Sequence, residues 1–305
     1  MQTILRGADT YKSLLSKSFS DKVEVAKAVI KNAYLNFKNP VVLFSGGLDS
    51  CAMLSLILMV RSDPILAIIL PQKELPCIHI FIRCVADKFH LKLVEYRKEI
   101  MSVAEFVKTQ GCPVWGKEAL GLAKDNEYQL PIGSECKHYF KLQPQNNFLK
   151  ENTYDCYFLG TRADESGLRK SSYLRSGFMT TDDLKLKRIK PLSIFTREET
   201  YKLAIAGVGY CNSYYDKIGG INYGTGCYFC GDCFDQPYSL WSYLREHDRD
   251  VFNQLFYDYG QLNNLIRIVE FDNQMLILSS KARQRLDNYL CDIVSVNTRK
   301  QGVLL

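Results

Sequence analysis

The first part of the chain alternates between helical patterns and short apolar runs. Apolar residues recur at helical spacing through residues 8–38, and the pattern stops at Asn39-Pro40, so one or two leading helices are predicted. A continuous apolar run then extends from Pro40 to Phe44, and a glycine turn separates it from a second helical pattern. Strand, turn and helix in this order form the first half of a βαβ unit.

The same alternation continues as far as residue 162. Residues 65–70, 91–96 and 155–162 are predicted as buried strands, and residues 77–90 as a helix. Strands that alternate with helices favour an α/β fold with a doubly wound parallel sheet, which carries helices on both faces in the manner of Rossmann-like proteins.

The periodic pattern is lost farther along the chain. Residues 111–144 are polar and contain cysteines, and residues 196–205 are predicted as a helix that opens with a Thr-x-x-Glu capping box. Residues 210–236 are rich in Gly, Tyr, Asn and Cys, which is typical of a loop around a metal. The predicted division is N-terminal helices over 1–39, an α/β domain with a cysteine-rich loop over 40–235, and a small lobe of helices with a β segment at MLILSS (275–280) over 236–305.

Composition restricts the class of protein. With 47% hydrophobic and 24% charged residues, the chain has the make-up of a globular protein. No apolar run approaches the ~20 residues of a membrane-spanning helix, and the first residues lack a signal peptide, so a cytoplasmic protein without membrane association is expected. The net charge of +6 is compatible with polyanionic ligands, nucleic acid among them. In a reducing compartment, the eleven cysteines favour metal ligands or buried residues over disulfides.

The glycine turn has the properties of a phosphate-binding loop. It consists of Ser45, Gly46, Gly47, Leu48, Asp49 and Ser50. Its glycines allow successive N–H groups and the start of the helix to converge on an anion, and its serine hydroxyls add donors. A carboxylate beside phosphates needs a balancing cation, so Asp49 indicates a Mg²⁺-bound triphosphate. The alternative is an ordinary turn between a strand and a helix.

Five motifs in a fixed order carry a resemblance to a known family. SGGLDS resembles the SGGxDS signature of the ATP pyrophosphatases, which bind ATP, adenylate a substrate and release pyrophosphate. Leu159–Arg169 (LGTRADESGLR) is similar to the G-x-R-x-D-E-S-x-x-R segment of the phosphoadenosine phosphosulfate (PAPS) reductase family. Cys136–Pro144, Pro191–Thr196 and Gly226–Cys230 follow that family's C-x4-K-x2-P, PL-x-x-W-[ST] and GC-x-x-C elements, with Phe195 in place of the tryptophan. Together these motifs, over residues 40–235, are much more specific than any one of them.

Two arginines follow a predicted strand at the end where open parallel sheets place their ligands. Guanidinium groups such as those of Arg162 and Arg169 suit phosphate or sulfate oxygens. Alternatively, both arginines form a solvated cluster of ion pairs with Asp164 and Glu165. The predicted catalytic residues are Asp49, Arg162 and Arg169, and the predicted nucleotide contacts also include Gly160 and Lys141.

The cysteine-rich loop predicts a metal centre. The two-residue spacing of Cys227, Cys230 and Cys233 lets their thiolates face one ion or cluster. A fourth ligand is required, and the iron–sulfur members of the resembled family imply Cys136, with Cys211 as the alternative. Four thiolates fit either a [4Fe–4S] cluster or Zn²⁺. Burial of unligated cysteines is the competing interpretation.

The resemblance implies an ATP-dependent adenylating enzyme whose acceptor is related to sulfur or nucleic-acid chemistry. PAPS reduction is an alternative, although true sulfonucleotide reductases carry a nucleophilic cysteine in a C-terminal E-C-G-x-H tail and this chain ends in NTRKQGVLL. A second alternative is a 7-cyano-7-deazaguanine synthase-like ligase, because those enzymes combine SGGxDS with a C-x2-C-x2-C zinc site. A third is a nucleotide-binding subunit without turnover that acts with a protein partner. A homo-oligomer is compatible with each of these.

Overall fold

The computed structural model of the chain describes residues 5–72, 75–113, 132–133, 135–216, 227–229, 240–275, 283–284, 286–288 and 290–291. The chain divides into two compact units. The first unit comprises Met1–Lys98 and Gln145–Thr225, and the second comprises Glu99–Pro144 and Gly226–Leu305. The domain limits at residues 39 and 235 stay a prediction. Among the described residues, no helix is both long and apolar enough to cross a membrane.

Helices make up most of the regular structure in both units. In chain order the α-helices of the described residues are α1 (Ala8–Leu15), α2 (Phe19–Asn36), α3 (Leu48–Leu58), α4 (Pro76–Lys88), α5 (Val103–Thr109), α6 (Gln143–Glu151), α7 (Gly167–Ser176), α8 (Arg197–Ala206), α9 (Asn212–Tyr215), α10 (Leu240–His247), α11 (Arg249–Asn253) and α12 (Gln261–Met275). The two helices predicted over residues 8–38 are confirmed as α1 and α2. Helix α2 begins at a cap in which Ser18 Oγ accepts a hydrogen bond from the Asp21 N–H at 3.1 Å.

A six-stranded sheet forms the centre of the first unit. Its strands are β1 (Pro40–Leu43), β2 (Leu66–Ile69), β3 (Leu93–Tyr96), β4 (Cys156–Phe158), β5 (Met179–Thr181) and β6 (Lys187–Ile189). They lie in the order β3-β2-β1-β4-β6-β5, and every pair except β5 with β6 is parallel. The predicted strands at residues 40–44, 65–70, 91–96 and 155–162 are confirmed as β1 to β4.

Helices cover both faces of this sheet. One face carries a buried cluster of Val41, Leu43, Ala67, Ile69, Tyr96 and Tyr157 with Phe148 and Leu149 of α6. Successive strand residues point to opposite faces, and the ring of Phe158 stacks on Tyr34 of α2 with centroids 5.5 Å apart on the other face. Helix α3, which is buried nearly all round, packs against α2 and α8. The doubly wound α/β architecture is therefore confirmed.

The edge of the sheet differs from the sequence expectation of an all-parallel sheet. Strands β5 and β6 form an antiparallel hairpin, which the sequence patterns did not indicate. A short turn can join only antiparallel neighbours. In this turn Asp182 Oδ1 accepts hydrogen bonds from the N–H groups of Leu184 at 3.0 Å and Leu186 at 2.9 Å. Lys185 adopts a left-handed backbone conformation with φ of 64°.

The strand order sets the position of the site. The chain leaves β1 towards β2 and β3 on one side, whereas β4 pairs with β1 on the other. Open α/β sheets bind ligands at such a reversal, in the crevice beyond the carboxyl ends of the two strands. The segments that follow β1 and β4 are Ser45–Ser50 and Leu159–Arg162.

The described part of the second unit is mainly helical. Phe106 of α5 is fully buried, and its ring lies 5.4 Å from that of Phe140 in a π-helical turn (His138–Leu142). Asn264 Nδ2 in α12 donates a hydrogen bond to the Val107 carbonyl at 3.0 Å, which ties α12 to α5. The β segment predicted over 275–280 lies outside the described residues except for Met275, which ends α12.

Candidate functional site

The Ser45–Ser50 loop connects β1 to α3 through a left-handed glycine. Gly46 has φ of +70°, and a Cβ atom built there would lie 2.8 Å from Ile78 Cγ2 and 2.9 Å from Ile82 Cγ1. These distances are too short for a real Cβ atom, so α4 supports the loop backbone directly at this position. Gly47, the cap residue of α3, makes no side-chain bond to the first N–H groups of the helix. The predicted strand, glycine turn and helix are confirmed, and the start of a helix is a position that favours anions.

Hydrogen bonds within and around the loop fix its shape. Ser50 Oγ donates to the Gly47 carbonyl at 2.8 Å, and Ser45 Oγ donates to Ser50 Oγ at 3.4 Å. The Leu48 N–H donates to Tyr215 Oη at 2.9 Å. Burial raises the pKa of the Tyr215 phenol, so it is a neutral acceptor that holds the start of α3. Sequence reasoning did not identify Tyr215, because tyrosines are too frequent in residues 209–228 to single one out.

Two arginines share the carboxylate of Asp49. Arg162 Nε donates to Asp49 Oδ1 at 3.1 Å, and Arg197 Nη1 lies 3.3 Å from the same oxygen and 3.4 Å from Oδ2. The side chain of Arg162 is 7% exposed and that of Asp49 is 16% exposed, so the Arg162–Asp49 pair is largely shielded from water. These guanidinium groups balance the charge of Asp49, and the carboxylate therefore does not by itself require a metal ion.

Arg197 is a site residue that the motif comparison did not include. It is the first residue of α8, directly after the cap residue Thr196, whose Oγ1 accepts a hydrogen bond from the Glu199 N–H at 3.2 Å. Glu199 Oε2 in turn accepts from the Thr196 N–H at 2.9 Å, and this confirms the predicted capping box. Lys22 Nζ donates to Glu199 Oε1 at 2.9 Å. The start of α8 is thus anchored, and it holds Arg197 against Asp49.

Gly160 brings the segment after β4 into direct contact with the loop. A Cβ atom at this position would lie 2.7 Å from the carbonyl oxygen of Asp49 and 2.9 Å from the backbone nitrogen of Ser50. Only glycine permits this approach of two backbones. Arg162 follows two residues later, so the contact at Gly160 sets the position from which Arg162 reaches Asp49.

Arg162 and Arg169 both form ion pairs with the acidic residues between them. Arg162 Nη1 donates to Asp164 Oδ1 at 2.6 Å, and the Arg162 N–H donates to Glu165 Oε2 at 3.0 Å. Arg169 pairs with Glu165 one helical turn away. Burial raises the pKa of Asp164, whereas Arg162 acts to lower it. The predicted ion-pair cluster is present, and Asp164 and Arg169 are exposed to solvent, whereas Arg162 is buried.

The remaining predicted residues lie in the second unit. Lys141 is half-buried in the His138–Leu142 turn, and its contact with a nucleotide stays a prediction. Cys136 is 5% exposed and Cys227 is half-buried, whereas Cys230 and Cys233 lie outside the described residues. The described residues contain no group of three or more His, Cys, Asp or Glu side chains arranged to hold a metal. The metal centre therefore stays a prediction.

An aromatic contact brings together the two segments that carry Cys136 and Cys227. Phe140 lies four residues after Cys136, and its ring centroid is 4.7 Å from that of Phe229, two residues after Cys227. Cys211 lies in the first unit, where its thiol is 3.3 Å from Ser213 Oγ and 3.7 Å from the Cys77 carbonyl. Hydrogen bonding to Cys77 and burial raise the pKa of the Cys211 thiol, and its alternative role as the fourth ligand stays a prediction.

A family model described as the phosphoadenosine phosphosulfate reductase domain matches residues 39–231. This range contains the Ser45–Ser50 loop, Gly160 and the three residues of the Asp49 cluster. A comparison with curated protein sequences gave no match.

Solved structures with a similar arrangement include a PAPS reductase from Candida auris in complex with phosphate. It is 17% identical, with a TM-score of 0.45 over 70% of this chain and 92% of the reductase. An FMN adenylyltransferase from Candida glabrata in complex with ATP is 12% identical, with a TM-score of 0.40 over 64% of this chain and 60% of that enzyme. A second structure of the same adenylyltransferase is also 12% identical, with a TM-score of 0.43 over 67% of this chain and 64% of that enzyme.

Proposed function

Since the chain belongs to the phosphoadenosine phosphosulfate reductase domain family, we propose that its first unit binds ATP and cleaves it to AMP and pyrophosphate, transferring the adenylyl group to an acceptor. The observation that carries this proposal is the cluster of Asp49, Arg162 and Arg197 at the start of α3. It combines a helix start whose cap residue is a glycine with two guanidinium groups at the reversal point of the sheet, where a polyphosphate finds donors from both sides.

The proposed reaction is a displacement at the α-phosphorus. An acceptor oxygen forms a bond to this phosphorus, the bond to the oxygen that bridges to the β-phosphate breaks, and pyrophosphate leaves with the electron pair. The hydrogen bonds of Ser50 and Tyr215 fix the loop backbone, so the N–H groups of the loop other than that of Leu48 stabilise the leaving charge without reorganisation. Positioning of the two reactants accounts for much of the remaining acceleration. A Mg²⁺ ion that arrives with ATP would neutralise further phosphate charge.

Asp49 has a positioning role in this proposal. Without ligand its carboxylate holds the Arg162 and Arg197 guanidinium groups at the edge of the loop. Phosphate oxygens compete for the same donors, and charge-assisted bonds to a planar guanidinium are strong and directional. Asp49 thus orients both arginines before the nucleotide arrives.

The test combines ATP binding with pyrophosphate release. ATP affinity is measured by calorimetry for the wild type, for Arg197→Gln and for Arg175→Gln, an exposed arginine of α7 that serves as the matched control. Arg197→Gln is expected to weaken ATP binding at least about tenfold, because one charge-assisted contact contributes ~1.5–3 kcal/mol. Equal affinity in the two variants would remove Arg197 from the site.

Turnover is then assayed with a panel of acceptors that includes sulfate, sulfur-containing metabolites and nucleic acids. Pyrophosphate release that depends on one acceptor class would identify the substrate class. ATP binding without pyrophosphate release for any acceptor would favour a nucleotide-binding subunit without turnover. Sulfite release from PAPS with a thiol reductant would favour the reductase alternative.

For the second unit, we propose a centre held by Cys136, Cys227, Cys230 and Cys233. What supports it is the packing of Phe140 on Phe229, which joins the segment of Cys136 to the segment of Cys227. The donor set fits either group, because thiolates bind both Zn²⁺ and iron–sulfur clusters. Such a centre would stabilise the cysteine-rich loop, since metal binding contributes directly to folding.

Metal content and absorbance distinguish the two groups. Protein purified without oxygen should be brown with a broad band near ~400 nm if it holds a [4Fe–4S] cluster, and colourless with about one Zn²⁺ per chain otherwise. Cys136→Ser is expected to lose the metal. Cys84→Ser, an exposed cysteine of α4, is the control and should retain it. Full metal content in Cys136→Ser would shift the fourth ligand to another cysteine.

A further inference from the structure

A cavity of about 260 Å³ lies in the first unit beside α7 and the carboxyl end of β6. Its polar lining consists of four cations, Arg162, Arg169, Arg188 and Lys190, and of the hydroxyl residues Thr161, Ser172, Tyr173 and Ser193. No Asp or Glu is among its described lining residues. Because its volume is below the ~300–1,000 Å³ typical of sites for drug-sized ligands, it suits a small group rather than a whole nucleotide.

Lys190 is the most unusual residue of this cavity. It is 6% exposed, and its Nζ reaches only a hydroxyl, Ser172 Oγ, at 3.3 Å. Within the described residues it has no carboxylate partner. A buried ammonium without a counter-ion costs several kcal/mol. Burial and, to a smaller extent, Arg188 lower the pKa of Lys190 to about 8, so that it still carries its charge at neutral pH.

Arg188 adds a second positive charge to the cavity without a carboxylate partner among the described residues. Its Nε donates to Tyr157 Oη at 2.8 Å, and its guanidinium lies 5.6 Å from the centroid of the same ring. The other two lining arginines have partners, since Arg162 pairs with Asp49 and Asp164, and Arg169 pairs with Glu165. The nearest carboxylate that the hydrogen bonds connect to Arg188 is that of Asp182, which accepts from Tyr157 Oη at 2.8 Å and does not contact the guanidinium directly. The charge of the cavity that no ion pair compensates therefore comes from Lys190 and Arg188.

Tyr173 is a further polar residue of the cavity. It is 1% exposed, and its hydroxyl has no hydrogen-bond partner among the described residues. Buried hydroxyl groups are normally hydrogen-bonded. Tyr173 with its unpartnered hydroxyl therefore lines the same cavity as Lys190 and Arg188, the two cations that form no ion pair among the described residues.

We propose that this cavity is an oxyanion site that binds a sulfate or phosphate group other than the triphosphate of ATP. A tetrahedral oxyanion accepts hydrogen bonds on every oxygen. Its negative charge would also provide the anionic partner that Lys190 and Arg188 do not have among the described residues. Arg162 lines the cavity and also contacts Asp49 of the Ser45–Ser50 loop, so the two sites share one guanidinium. We infer that this oxyanion belongs to the acceptor of the adenylyl group, and this inference rests on the proposed function. The binding of an oxyanion in the cavity does not depend on the proposed function.

The experiment measures anion binding in the absence of nucleotide. Sulfate, inorganic phosphate and phenyl phosphate are titrated by calorimetry at pH 7, with sodium chloride of equal ionic strength as the reference. The variant is Lys190→Met, which keeps the length of the side chain and removes its charge. Lys187→Met is the matched control, because Lys187 lies only three residues before Lys190, bonds to Thr181 and does not line the cavity. Arg188→Gln serves as a second variant if Lys190→Met does not fold.

We expect the wild type and Lys187→Met to bind at least one of these anions. Lys190→Met and Arg188→Gln should each bind that anion at least tenfold more weakly than the wild type. The affinity of all four proteins for ATP should be the same. Preference for free sulfate or phosphate would indicate an inorganic ligand, and preference for phenyl phosphate an esterified one. Equal anion binding in wild type and Lys190→Met, absence of binding above the chloride reference, or complete displacement of the anion by ATP would each overturn the proposal. A wild-type protein that binds one of these anions but does not bind ATP would instead contradict the proposed function and leave the proposal of the oxyanion site intact.

Discussion

Replacement of Gly160 by alanine is expected to separate the segment that carries Arg162 from the Ser45–Ser50 loop. The new Cβ atom would lie 2.7 Å from the carbonyl oxygen of Asp49, 2.8 Å from its carbonyl carbon and 2.9 Å from the nitrogen of Ser50. All three are backbone atoms, so rotation of a side chain does not relieve the contact. An ordinary contact begins at 3.4 Å, which requires the two segments to move apart by about 0.7 Å.

The displacement affects both packing and charge. Overpacking typically costs ~1–3 kcal/mol. The bond from Arg162 Nε to Asp49 Oδ1, now 3.1 Å, would also be stretched past the ~3.2 Å limit of a good hydrogen bond. A charge-assisted bond contributes ~1.5–3 kcal/mol. Because one movement causes both losses, we expect the free energy of unfolding to fall by roughly 2–4 kcal/mol and ATP affinity to fall at least about tenfold.

Urea titration and calorimetry with ATP measure these two effects, with Gly167→Ala as the control. A Cβ atom at position 167 meets nothing within 4 Å, and this glycine begins α7. Its replacement should leave ATP binding unchanged and raise the free energy of unfolding by ~0.4–1 kcal/mol. If Gly160→Ala matched Gly167→Ala in both measurements, the contact inferred at Gly160 would be wrong. Lower stability with unchanged ATP affinity would show that the contact is structural and that Arg162 does not bind the nucleotide.

Two further predictions concern the charged groups. Asp49→Asn and Arg197→Gln should each lower the free energy of unfolding, because the two side chains form an ion pair. A double-mutant cycle measured by urea titration should give a coupling energy of ~0.5–3 kcal/mol, and additive effects of the two substitutions would show that the pair does not interact. The lowered pKa of Lys190 means that the unfolded chain binds more protons than the folded one between pH ~8 and ~10.5, so the wild type should gain stability over that interval. In buffer without sulfate or phosphate, Lys190→Met should therefore have a higher free energy of unfolding than the wild type below pH 8. The difference between the two proteins should shrink as the pH rises above 8. A difference that does not vary with pH would contradict the prediction.

The interior of the sheet was predictable from sequence because its strands are buried on both faces. β1 and β2 are continuous apolar runs, and each is followed by a helical pattern, so burial alone fixes their type. β5 and β6 were missed for the opposite reason. Each has only three residues, and the hairpin lies at the edge, where residues such as Thr181 and Lys187 remain partly or fully exposed. A pattern of two or three residues carries too little periodicity to distinguish a strand from a loop.

The site was predictable only where a contiguous motif describes it. The Ser45–Ser50 loop and the segment from Gly160 to Arg162 each follow one strand, and the parallel sheet places both at the same edge. Arg197 and Tyr215 reach the loop from 148 and 167 residues away, through the start of α8 and through α9. Their roles depend on how two distant helices pack, which no local pattern encodes. The capping box at Thr196 predicted where α8 begins but not what its first residue contacts.

The distribution of charge is compatible with the two anion sites that we propose in the first unit. Asp49 and Asp164 balance Arg162 and Arg197, so the positive charge beside the loop is already compensated and backbone donors must provide much of the phosphate binding. The uncompensated charge lies in the cavity on the other side of Arg162, at Arg188 and Lys190. Two anionic ligands repel each other, and a cation between them offsets that repulsion. Arg162 is buried, contacts Asp49 of the loop and lines the cavity, so in our proposal it is the cation between an anionic acceptor and the nucleotide.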